Sequence, residues 1–146
     1  MNITNNLKND ILHAPDWFHQ AIQDKPEDKI FEHKLGNVSY SKWATSSANK
    51  NLIVLLHGGG AHKKWWDPIG PQIKEIGNII AIDLPGMGFS DFREKYSIID
   101  YGNCVTEIIE KEKSDYDLKT VSIVGHSLGG HVAGYIATER KDLITN

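Results

Sequence analysis

A chain of 146 residues, 40% hydrophobic and 24% charged, has the size and composition of one globular domain with a single core. Its formal net charge of −3 supplies no overall attraction to nucleic acid or to an anionic membrane, so neither is expected as a partner. No apolar run approaches the roughly 18 to 20 residues that span a bilayer.

The amino terminus, Met1 to Lys8, lacks the apolar stretch of a signal peptide, and a cytoplasmic protein is expected. The single cysteine, Cys104, makes no internal disulfide; it sits at helical spacing with Tyr101, Val105 and Ile108 and reads as a small buried apolar residue. Residues 1–14, rich in Asn, are expected to form a flexible amino terminus, and 15–146 one unit with no internal boundary.

Pro15 opens a short helical stretch to Ile22 with Trp17, Phe18, Ala21 and Ile22 on one face. Lys29–Leu35 and Val38–Ala44 read as strands joined by a tight Gly36-Asn37 turn, followed by a loop over Thr45–Asn51. Leu52–Leu56 is a wholly apolar strand running into His57-Gly58-Gly59-Gly60. The adjacent basic pair Lys63-Lys64 reads as a solvated loop tip. Trp65–Ile76 is a helix interrupted early by Pro68 and Pro71, and Asn78–Ile82 a second apolar strand ending in Asp83-Leu84-Pro85-Gly86-Met87-Gly88. Ser97 is a good N-cap, with Asp100 at its third position, for a helix over Ser97–Lys113. Thr120–Val124 is the third apolar strand and Leu128–Arg140 the last helix. Strands apolar on both faces, alternating with amphipathic helices, imply an α/β fold: three α/β/α layers around a mostly parallel sheet.

Ligands of such sheets bind beyond the carboxyl ends of the strands. Gly125-His126-Ser127-Leu128-Gly129 makes a sharp strand-to-helix turn that pushes the Ser127 hydroxyl outward, with small residues required two positions to either side. Ser127 is the candidate nucleophile. The backbone N–H of Leu128 points where an oxyanion would form, and the glycine loop supplies a second N–H, from Gly59 with Gly60 as the alternative. His62, His126, Trp65, Trp66 and Gly60 are candidates for substrate contact, one tryptophan lining an acyl pocket and the other packing in the core. No pair among His57, His62, Asp83, His126 and His131 has the helical spacing of a metal site, so no metal or other cofactor is expected.

With these three strand-end motifs in order, His57–Gly60, Asp83–Ser90 and Gly125–Gly130, the chain resembles the α/β-hydrolase superfamily, in its branch of serine esterases, thioesterases and C–C hydrolases. The resemblance covers roughly residues 16–146. It implies Ser127 as nucleophile, the N–H groups of Gly59 and Leu128 as oxyanion donors, strand order 1-2-4-3-5, and a small acyl substrate. It also implies a triad acid and a histidine base after later strands. Only about nineteen residues follow Ser127, too few for those strands. The expectation is the amino-terminal portion of a serine hydrolase, inactive alone.

Residues present here are poor stand-ins. His126 adjoins the serine, but neighbouring side chains on a sharp turn diverge; His57 reads as structural, His131 as lying on the face packed against the sheet, and Asp83 as bracing its own turn. A nucleotide-binding module is disfavoured: the glycine loop lacks Gly-Lys-Ser/Thr, and Asp91 stands where a dinucleotide fingerprint needs its third glycine. A non-catalytic binding protein on the same fold is the remaining alternative. In the implied strand order Thr120–Val124 is a bare apolar edge, expected to invite self-association or a missing carboxyl-terminal half.

Overall fold

The computed structural model describes residues 13–46 and 48–146. The expected flexible segment falls almost wholly on residues 1–12, outside the described residues. The elements run α1 (Asp16–Ala21), β1 (Glu27–Phe31), β2 (Val38–Trp43), β3 (Asn51–Leu56), a 3-10 turn (Lys63–Trp66), α2 (Gly70–Ile73), β4 (Asn78–Ile82), α3 (Ile98–Tyr116), β5 (Thr120–Gly125) and α4 (Leu128–Glu139).

The five strands form one sheet in the order β1-β2-β4-β3-β5. β1 pairs antiparallel with β2 and β2 with β4, while β4, β3 and β5 run parallel. Alternation splits the central strands between two cores. Leu52, Val54, Leu56, Ile80 and Ile82 join Tyr101, Cys104, Val105, Ile108 and Ile109 of α3 and Val132 and Ile136 of α4. Ile53, Leu55, Ile79 and Ala81 face the other way, toward Trp43, Trp66 and Ile73. The sheet is therefore sandwiched between helical layers, as its doubly apolar strands require.

Ser97 caps α3 by accepting the amide of Asp100 at 3.1 Å. The helix continues three residues beyond the expected Lys113 and stops where Asp117 turns left-handed, at φ 51°. Just before that last turn stands Glu112, whose carboxylate is buried with Lys42: Nζ donates to Oε2 at 2.5 Å, and the Tyr40 hydroxyl donates to Oε1 at 2.8 Å. The Lys42 ammonium also sits 3.0 Å from the centre of the Tyr116 ring. Removing a charged pair from water is unfavourable unless the charges are paired and hydrogen-bonded, and here both carboxylate oxygens of Glu112 accept while the Lys42 ammonium has Oε2 and the Tyr116 ring.

Four expectations are corrected. The first hairpin is not closed by two residues: Phe31 pairs with Val38, and residues 32–37 form a longer loop. Asn37 is instead tied to Asp91, its amide donating to the carboxylate at 2.8 Å and its carbonyl accepting the Asp91 amide at 2.9 Å. The helix expected over Trp65–Ile76 is two short pieces, because Pro68 and Pro71 remove amide donors and disfavour helical geometry in the preceding residue. On α1 only Ala21 is buried, and Trp17 is half exposed with its ring edge-on to Phe18.

The fourth correction concerns β5. It ends the sheet order, as expected, yet its outer edge is not bare. The chain returns after α4, buries Leu143 in the core, and lays its last residues along the strand. The amide of Thr145 donates to the Val121 carbonyl at 2.8 Å, and the amide of Ile123 to the Asn146 carbonyl at 3.1 Å.

Candidate active site

Between β5 and α4 the backbone reverses within two residues, His126 and Ser127. The amide of His126 donates to the Leu56 carbonyl at 3.0 Å, carrying the strand ladder one step past Gly125. The Ser127 carbonyl then accepts the His131 amide at 3.1 Å, the first bond of α4. Linking the two forces Ser127 to φ 51° and ψ −113°, a conformation that residues with a side chain rarely adopt. Its side chain is thrust into solvent as a result.

The flanking glycines are required by contact. A Cβ on Gly125 would stand 2.3 Å from the Gly129 carbonyl oxygen, and one on Gly129 would stand 2.4 Å from the Leu56 carbonyl oxygen. The loop after β3 lies against this turn: a Cβ on Gly58 would be 2.8 Å from His126 Nδ1 and 3.4 Å from Ser127 Cβ. The added carbon on Gly59 would be 3.9 Å from Leu128 Cδ2. Ser127, Leu128, Gly58 and Gly59 are thus brought to one place, at the carboxyl ends of β3 and β5.

Within the loop, the Ala61 amide donates to the Gly58 carbonyl at 3.1 Å, closing a turn that needs the left-handed φ of +74° at Gly60. The Gly60 amide is already directed at Met87 Sδ, 3.4 Å away, which favours Gly59 of the two candidate donors. The first amides of α4 have no partner within their own helix, and that end of the helix attracts negative charge.

Beneath the loop, buried His57 uses both ring nitrogens, on Gly58 and Leu84. Burial pushes its imidazole below the ordinary histidine value, against smaller opposing effects of its hydrogen bond to Gly58 and then of the Asp83 charge. Asp83 is wholly buried and does more than brace its own turn. One carboxylate oxygen accepts the Phe89 amide at 2.9 Å, and the other accepts the Lys63 amide at 2.5 Å. It therefore clips the loop after β3 to the loop after β4.

Lys63 corrects the reading of Lys63-Lys64 as a solvated tip. Only Lys64 is exposed; the Lys63 ammonium is buried on Asp28 at 2.6 Å and Ser39 Oγ at 2.8 Å. Its partners are distant in sequence and no periodicity flags them. His62 is exposed at the start of the 3-10 turn. Trp65 is half exposed, its ring centre 4.9 Å from that of His126, whereas Trp66 packs against the smaller core. His131 does not face the sheet: it is exposed, with Nδ1 3.2 Å from the Ser127 carbonyl oxygen. Among the described residues no histidine nitrogen hydrogen-bonds the Ser127 hydroxyl, and no group of three or more His, Cys, Asp or Glu is placed to hold a metal ion.

A protein of Mycobacterium tuberculosis of uncharacterised function is 37% identical over 93 residues, which is 63% of this chain and 26% of that protein. A pimeloyl-[acyl-carrier protein] methyl ester esterase of Neisseria meningitidis is 30% identical over 92 residues, 63% of this chain and 33% of the esterase. The chain thus spans between a quarter and a third of the length of these relatives. Among solved structures, a thioesterase domain from the curacin biosynthetic pathway superposes with a TM-score of 0.69 at 24% identity, over 82% of this chain and 41% of the domain; this likeness speaks to the fold alone. Residues 51–146, from β3 through α4, match the family model described as the alpha/beta hydrolase fold, and the chain belongs to that family.

Proposed function

We propose that this chain carries the nucleophile and the oxyanion donors of a serine hydrolase acting on an ester, thioester or related acyl substrate. The observation that carries the reading is the strained backbone of Ser127, which projects an exposed hydroxyl at the strand ends. Strain of this kind persists where surrounding structure imposes it, here through the close contacts at Gly125 and Gly129.

In the proposed reaction Ser127 Oγ attacks the acyl carbon and its proton passes to a base. The carbonyl oxygen, now an anion, receives the N–H groups of Gly59 and Leu128. Collapse expels the alcohol or thiol, and water then cleaves the acyl-serine ester. Trp65 and His126 flank the incoming acyl group, with Gly60 and His62 at the rim. The histidine base and its acid belong to sequence beyond these 146 residues, in keeping with the greater length of the relatives. A carboxyl-terminal portion of that kind would pack beside β5 by displacing Thr145 and Asn146 from its outer edge. No helix among the described residues is long and apolar enough to cross a membrane, and a cytoplasmic location belongs to this reading. The second reading, a non-catalytic protein on the same fold, is favoured by the lack of a described histidine on the Ser127 hydroxyl.

A fluorophosphonate probe separates the two. Slow labelling that maps to Ser127, disappears in Ser127→Ala and quickens when the missing portion is supplied supports the hydrolase. A Ser127 inert under both conditions supports the second reading.

A further inference from the structure

The hydrogen bonds of His57 define its tautomer. The Leu84 amide can only donate, and it lies 3.0 Å from Nε2, so Nε2 carries no proton. The proton is therefore on Nδ1, which donates to the Gly58 carbonyl oxygen at 2.7 Å. That oxygen and the N–H of Gly59 belong to one planar trans peptide, in which they point in opposite directions. Fixing the oxygen fixes the N–H. We propose that His57 is a positioning residue that aims the Gly59 N–H at the oxyanion formed over Ser127. The proposal rests on the serine-hydrolase reading and assigns His57 no contact with substrate, since its side chain is wholly buried.

The Ala61 amide holds the same oxygen at 3.1 Å, but that bond lies within the loop and moves with it. Gly60 to Met87 and Lys63 to Asp83 hold other points of this loop to the loop after β4, but among the described residues His57 is the side chain that bonds the Gly58 carbonyl itself, linking it to Leu84. The imidazole must stay neutral to do so, because a second proton on Nε2 would face the Leu84 N–H. Burial favours the neutral ring; of the charged or titratable groups that face it, Asp83 opposes burial and His62 adds to it.

Two substitutions separate the halves of this arrangement. In His57→Asn the amide nitrogen takes the place of Nδ1 and can still donate to Gly58, while the acceptor for Leu84 is lost. In His57→Gln the amide oxygen takes the place of Nε2 and can still accept from Leu84, while the donor to Gly58 is lost. Amide resonances of the 15N-labelled chain report both ends. The expected result is a crossed pattern: the Gly59 resonance moves in His57→Gln and stays near its original position in His57→Asn, and the Leu84 resonance does the reverse. Phosphonylation of Ser127 should slow by about 10-fold or more in His57→Gln, a fraction of the loss seen when an oxyanion donor is removed outright, and by no more than about 3-fold in His57→Asn. Gly59 resonances that move equally in both variants, or in neither, would show that His57 only fills space and overturn the proposal. If the crossed pattern appears but Ser127 is never labelled, the positioning of Gly59 stands and the serine-hydrolase reading fails.

Discussion

A methyl group on Gly129 would stand 2.4 Å from the carbonyl oxygen of Leu56, so the first turn of α4 is pressed directly onto the end of β3. The atom it would strike belongs to the backbone of a central strand, and the same oxygen accepts the His126 amide. It cannot yield without breaking that bond. Gly129→Ala is therefore expected to destabilise the chain by about 3 kcal/mol or more, at the upper end of overpacking costs. Gly134→Ala, on the same helix with open space around its Cβ position, should cost nothing and gain helix propensity of about 1 kcal/mol. Urea unfolding of the two variants checks both signs, and similar losses in the two would contradict the contact argument.

The buried pair of Lys42 and Glu112 makes a second prediction. Glu112→Leu leaves the Lys42 ammonium and the Tyr40 hydroxyl without their partner inside the core, and should cost about 3–5 kcal/mol. Adding Lys42→Met to Glu112→Leu removes the stranded charge and should recover most of that loss. A double-mutant cycle in denaturant measures the coupling; a double variant no more stable than Glu112→Leu alone would show that the ammonium finds water instead.

Stability should also depend on pH through two imidazoles. Burial lowers the pKa of His57, and burial followed by the charges of Arg93 and Lys34 lowers that of His33 against the pull of Glu107. A base whose pKa is lower folded than unfolded binds more protons unfolded, so stability rises with pH between the two values. The contribution is complete above the unfolded histidine value of about 6.5 and is lost as the pH falls from there toward the folded values. The steepest slope is about 1.4 kcal/mol per pH unit for each ring. Urea midpoints should change little from pH 7.5 to about 6.5 and fall from there to pH 5.5, and in His33→Gln the fall should be shallower. A flat profile over that range would mean that neither ring is held neutral by the fold.

Much of this architecture was legible in local pattern, and the failures share a cause. Leu52–Leu56, Asn78–Ile82 and Thr120–Val124 announce parallel strands by their continuous apolar runs; the first two are buried on both faces, whereas β5, at the end of the sheet, buries only Val121, and the structure extends β5 by one residue and β3 by one. The turn at Ser127 was legible because Gly125 and Gly129 answer to contacts only a few residues away or on the adjacent strand. Lys63, by contrast, is buried by Asp28 and Ser39, more than twenty residues distant, and nothing in its neighbourhood sets it apart from exposed Lys64. The hairpin register failed similarly: Asn37 is fixed by Asp91 from another loop, which overrode the tight-turn preference of Gly36-Asn37. Met87, which occupies the Gly60 amide, carried no signal at all, since a methionine between two glycines has no pattern to mark it.

The last prediction isolates the backbone strain at Ser127 from its chemistry. At φ 51° and ψ −113° any side chain stores about 1–3 kcal/mol, whether or not it bears a hydroxyl. Ser127→Ala keeps the Cβ and should keep the strain. Ser127→Gly removes the Cβ and with it the steric conflict, although glycine also gives the unfolded chain about 0.4–1 kcal/mol more conformational entropy. The first effect exceeds the second, so Ser127→Gly should be more stable than Ser127→Ala by about 1 kcal/mol. Both variants lack the hydroxyl, so lost reactivity cannot account for a difference between them. Equal denaturation midpoints would mean that the turn accommodates a side chain without strain, and the observation carrying the proposed nucleophile would lose its force.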